Sequence, residues 1–161
     1  MGHALLEICC GGIDDAIQAE KGGADRVELC SALFLGGLTP SLGTILEAKR
    51  RVKIPVVVMV RPRGGGFAYS QAEMATMEHD AEAAVENGAD GVVFGILQSD
   101  GRVDVARSRR IRQLIGTRRR CFIGRSMSLL IRLKRWNSLW IWESRVCSPV
   151  DKKKVCRKQW T

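Results

Sequence analysis

Gly23-Ala24-Asp25-Arg26-Val27-Glu28-Leu29-Cys30 is echoed 65 residues later by Gly88-Ala89-Asp90-Gly91-Val92-Val93. A glycine that can stop a helix, a short polar link and a buried strand recur because each helix must return the chain to a neighbouring parallel strand by a right-handed crossover. Two strand–helix units fit between the copies, and working outward from them yields four. Residues 4–9 form an apolar run that ends at Gly11 and Gly12, and residues 13–21 place Ile13, Ala16, Ile17 and Glu20 at helical spacing. After the second strand, Thr39-Pro40-Ser41 caps a helix running to about Val52, and residues 54–61 are a β-branched run typical of a strand buried on both faces. Ser70 caps a helix ending at Asn87-Gly88; residues 91–95 are a fourth strand, and residues 103–115 a fourth helix stopped by Gly116. Parallel units of this length predict an α/β chain of the (β/α)8 TIM-barrel type, although an open doubly wound sheet shares the local pattern. A full barrel takes eight units and typically about 250 residues, so a half barrel is expected here.

The 161 residues carry 26 Lys and Arg against 17 Asp and Glu, with 45% hydrophobic residues, which excludes disordered, collagenous and disulfide-dense classes. No apolar stretch approaches the roughly 18 residues of a membrane span, and the first residues lack a secretory layout, so a cytoplasmic location is expected. In a reducing compartment the six cysteines are thiols before they are disulfides. The charge divides sharply: residues 1–117 hold 13 basic against 15 acidic side chains, whereas residues 118–161 hold 13 against 2. All four tryptophans (Trp136, Trp140, Trp142 and Trp160) also lie in that last segment. The chain is therefore expected to divide into a β/α half barrel over 1–117 and a basic, irregular tail over 118–161.

Four motifs carry a family resemblance: Leu6-Glu7-Ile8-Cys9, the stretch from Gly23 to Cys30, Gly36-Gly37-Leu38-Thr39-Pro40-Ser41, and Arg61-Pro62-Arg63-Gly64-Gly65 with Phe67 and Tyr69-Ser70. Their order and spacing resemble the CutC copper homeostasis family over residues 5–116. The resemblance implies a single TIM-barrel domain, a cytoplasmic protein and copper binding through cysteines at the ends of the first two strands. It stops abruptly after Gly116. Read one base earlier behind a G, Cys121 to Ser128 can be encoded so as to give V-F-H-R-A-F-D-V, which resembles the family's next motif. Residues 134–138 and 146–152 permit similar in-register strings, so a frameshift near residues 118–121 is expected to have truncated the barrel. Arg118-Arg119-Arg120 and Lys152-Lys153-Lys154 among tryptophans would suit RNA or an anionic membrane. The tail's apolar positions follow neither a helical nor a strand period, so only non-specific polyanion binding is expected.

The chemistry of a barrel is built at the C-terminal ends of its strands. Cys9 and Cys30 end the first two, and soft thiolates favour Cu(I) over hard cations, making them the first-choice metal ligands; a packing role for buried free cysteines is the alternative. Cys10 should point to the opposite face. Glu7 and Glu28 each stand two residues before a strand-end cysteine, and could work as acid and base, take a cation, or pair with arginine, with Arg61 the expected partner. Arg61, Arg63 and the loop at Gly64 and Gly65 could instead hold a phosphate or carboxylate. An enzyme acting on a small anionic substrate through Glu7, Glu28, Arg61 and Arg63 is therefore the second functional class. Homo-oligomerisation stays open, because a half barrel leaves strand edges unpaired.

Overall fold

The computed structural model describes residues 5–116 in full and, for 120–123 and 157–158, the backbone. The chain alternates β1 (Leu5–Cys10), α1 (Ile13–Lys21), β2 (Arg26–Leu29), a short 3-10 turn (Leu33–Leu35), α2 (Leu42–Arg51), β3 (Val56–Met59), α3 (Gln71–Glu86), β4 (Gly91–Phe94) and α4 (Val105–Leu114). Two short strands, β5 (Arg120–Ile123) and β6 (Arg157–Lys158), follow. The sheet order is β5-β4-β3-β2-β1-β6, with β1 to β5 parallel and β6 antiparallel to β1. The expected β/α alternation is thus present, and the expected boundaries need small corrections. β3 is shorter than the apolar run suggests, because the Arg61 N–H leaves the ladder to donate to Thr39 Oγ1 (2.8 Å). Helix α4 begins at Val105 because Asp104 caps it, accepting from the Arg107 N–H (3.0 Å), while Val103 bridges to Leu97.

The echoed Gly-Ala-Asp has a physical cause. Gly23 (φ 83°) and Gly88 (φ 91°) adopt left-handed conformations that side chains resist, and the next residues close the helix ends, Ala24 N–H donating to Ala19 O and Ala89 N–H to Ala84 O, both 3.0 Å. The aspartates then pin the chain to the start of a neighbouring strand. Asp25 N–H donates to Leu6 O (2.9 Å) while its carboxylate accepts from Leu6 N–H (2.6 Å). Asp90 repeats this against both backbone groups of Val56, each at 2.8 Å, and its carboxylate also meets Lys49. One side chain and one amide thereby set strand register at two places in the sheet.

Between the outer sheet face and the helices lies the core, where Val27, Leu29, Val58 and Phe94 meet Met74, Met77 and Ile111. Helix α3 enters it through a capping box: Ser70 Oγ accepts from Glu73 N–H (3.2 Å) and Glu73 Oε2 accepts from Ser70 N–H (2.7 Å). The sheet has six strands rather than the expected four, since residues 120–123 extend the parallel ladder beyond β4 and residues 157–158 lie beside β1. That extension departs from a wholly irregular tail, and the remaining tail positions lie outside the described residues.

Candidate functional site

Strand register assembles the site. Glu7 stands opposite Arg26 and Cys9 opposite Glu28, so these four share one face of β1 and β2, the face turned away from the helices. The ladder runs on beyond β2, with Cys30 N–H donating to Cys10 O (2.9 Å), and continues the same alternation to Cys30 and to Met59 on β3. Cys9 and Cys30 therefore do lie on one face, but stand diagonally rather than side by side, because Glu28 occupies the place level with Cys9. Cys9 is exposed and Cys30 buried. Cys10 lies on the opposite face within the core, fully buried.

Burial sets the thiol chemistry. Desolvation pushes the Cys30 thiol up to about 12, with Glu28 adding to the shift, and its Sγ donates to Cys10 O (3.4 Å). The Cys10 thiol is likewise pushed up to about 12 by burial, with Asp15 and Glu28 contributing. Both are thiols, not thiolates, until something replaces the proton. Over this end of the sheet closes the loop after β2. A side chain at Gly37 (φ 86°) would place its Cβ 3.4 Å from Cys30 Sγ and 3.4 Å from Met59 Cε, so those two groups converge beneath that glycine.

Glu7 pairs with Arg26, where Arg61 was the expected partner. Register puts Arg26 directly across from Glu7, whereas Arg61 is drawn toward the loops. Arg61 is 7% exposed; Nη1 donates to Leu35 O (3.0 Å) and Gly37 O (3.2 Å), Nη2 to Gly65 O (2.7 Å), and the guanidinium lies 4.7 Å above the Phe67 ring. Among the described residues its Nε and the Tyr69 hydroxyl, both buried, have no hydrogen-bond partner. Arg63 pairs with Glu73 and donates to Gly64 O (3.1 Å), Gly66 O (2.8 Å) and Ala68 O (2.9 Å). The two arginines and the glycine loop are thus brought together, with loop carbonyls turned toward the guanidinium groups. Among the described residues no group of three or more His, Cys, Asp or Glu side chains converges in a way that could hold a metal ion. None of their helices is long and apolar enough to cross a membrane.

The sequence profile of the CutC family matches residues 4–119. This chain belongs to the CutC family. Curated CutC proteins of Treponema denticola (48% identical over 122 residues, 76% of this chain and 50% of that one) and Erwinia tasmaniensis (53% over 109 residues, 68% and 43%) are similar to it. So is the human copper homeostasis protein cutC homolog, 52% identical over 100 residues, which are 62% of this chain and 37% of that one. The chain thus spans half or less of the length of these CutC relatives. The solved CutC structure from Streptococcus agalactiae superposes with a TM-score of 0.71 at 36% identity, covering 75% of this chain and 59% of that one. Membership places the β1–β3 face in a CutC fold.

Sequence reasoning singled out Cys9, Cys30, Glu7, Glu28, Arg61 and Arg63, and missed Arg26, Gly37 and Met59. Period-two alternation from Val57 through Met59 to Arg61 could have placed Met59 on the inner face. Nothing local could have brought Gly37 over it.

Proposed function

We propose that this chain serves copper homeostasis in the cytoplasm by binding Cu(I) at the C-terminal ends of β1 and β2, with Cys9 and Cys30 as ligands. The observation that carries the reading is the register that places both thiols on one face, Cys9 exposed where an ion arrives and Cys30 buried behind it. The donor chemistry fits: sulfur is soft and suits Cu(I), while Arg26 on that face is already paired with Glu7. Binding replaces the thiol proton of Cys30 and releases it to solvent, so uptake strengthens as pH rises. Anaerobic titration against a chromogenic Cu(I) chelator tests the reading. The unaltered chain should bind, and the Cys9→Ser, Cys30→Ser double variant should lose that affinity; equal affinity in the two removes both ligands.

A second reading makes the same end of the sheet an enzyme site for a small anion, using Glu7, Glu28, Arg61 and Arg63. It draws on Arg61, a buried cation with an unpartnered Nε and no ion pair among the described residues. Calorimetric titration with inorganic phosphate separates the two: saturable binding that Arg61→Lys weakens supports the enzyme, and no heat of binding removes it.

A further inference from the structure

We infer that Met59 is a third sulfur donor for Cu(I), its thioether joining Cys30 beneath Gly37. The inference rests on the reading of Cys9 and Cys30 as copper ligands and names the residue that completes their site.

Three observations carry it. First, β2 and β3 pair with Leu29 opposite Val58, so the next step of the ladder sets Cys30 beside Met59 on the inner face. Second, Cys30 Sγ and Met59 Cε both approach one point, the Cβ position of Gly37, at 3.4 Å. Gly37, in a left-handed conformation, lets the β2–α2 loop close over both sulfur side chains without a side chain of its own between them. Third, Met59 is only partly buried whereas its chain neighbours Val58 and Val60 are fully buried, so its long, flexible side chain has room to turn.

Charge explains why a thioether belongs there. Cu(I) held by the Cys9 and Cys30 thiolates already carries one net negative charge, and a thioether adds a soft donor without adding to it. A further carboxylate or thiolate in its place would bury extra negative charge beside Glu28, which desolvation makes costly. Coordination by Met59 releases no proton and changes no oxidation state. Thioether sulfur also discriminates: it holds Cu(I) while offering little to the hard divalent cations that a Glu7–Glu28 face would otherwise attract.

The test uses the full chain labelled with selenomethionine and loaded with Cu(I) without oxygen. X-ray absorption at the copper edge should show a copper–selenium shell beside copper–sulfur, and the shell should vanish in Met59→Leu, a swap that conserves side-chain volume. Competition with a Cu(I) chelator should show Met59→Leu binding roughly tenfold more weakly. No selenium shell in the labelled, unaltered chain overturns the inference, as does a shell that persists in Met59→Leu, because another methionine then supplies it. The double cysteine variant keeps the two levels apart. Loss of affinity there without a selenium shell in the unaltered chain leaves the cysteine reading standing and Met59 excluded; full affinity there overturns both.

Discussion

Cys30 and Cys10 illustrate how position alone alters a side chain's chemistry. Both thiols sit at about 12 in the folded chain, above the ordinary value of 9.0, because burial disfavours the thiolate. Between those limits the folded state holds protons that the unfolded chain releases, so their stabilising contribution is full below pH 9 and is lost as pH climbs toward 12. Thermal melts are expected to fall over that interval, less steeply in Cys10→Ala. Thiol alkylation at pH 8 followed by peptide mass spectrometry should label exposed Cys9 rapidly and leave Cys10 and Cys30 unlabelled until denaturant is added; equal rates would contradict the burial. Gly37 is the other sensitive residue. Gly37→Ala forces a side chain into φ 86° and is expected to cost about 1–2 kcal/mol in urea unfolding. The cysteines and glutamates of this site were legible from period-two alternation. Their diagonal offset was not, since a shift of one register step between β1 and β2 leaves no trace in either strand's own sequence.

At the scale of the elements, Arg61 fastens two loops to the end of the sheet by donating to carbonyls on each. Arg61→Met keeps the length but abandons three carbonyl acceptors, that of Gly37 buried, and should cost about 1–3 kcal/mol by chemical denaturation. Arg61→Lys should not restore it, because an ammonium lacks the planar fork. The capping box of α3 allows a milder test: Ser70→Ala is expected to cost about 1 kcal/mol, read from the same unfolding curves. The helices were legible almost to the residue because caps and glycine stops are local signals, as Ser41, Ser70 and Gly88 show. Strand ends were less so: β3 stops where Thr39, 22 residues earlier in the chain, captures the Arg61 amide.

Across the whole molecule, the composition breaks after residue 117, where 13 basic side chains stand against 2 acidic ones. Sequencing the source DNA across codons 110–130 is expected to reveal one base missing or added, restoring the H-R-A-F-D motif; an unaltered reading frame would show the basic tail to be encoded as it stands. The fold itself rests on the layer between sheet and helices, where Phe94 is among the largest buried side chains. Phe94→Ala should cost about 3–5 kcal/mol in denaturant unfolding, and a loss under 1 kcal/mol would mean that this layer is not the core.

By itself the sequence determined the β/α order, the helix caps, the faces on which Cys9, Cys30, Glu7 and Glu28 lie, and the family. These depend on residue periods of 2 and 3.6 and on glycine and serine signals that act over a few positions. Only the tertiary structure decided that Arg26 answers Glu7, that Asp25 and Asp90 pin neighbouring strands, that Arg61 is occupied by loop carbonyls, and that Met59 and Cys30 both approach Gly37. Each of those depends on strand register and loop closure, which bring together residues tens of positions apart and are settled by packing the whole sheet against its helices.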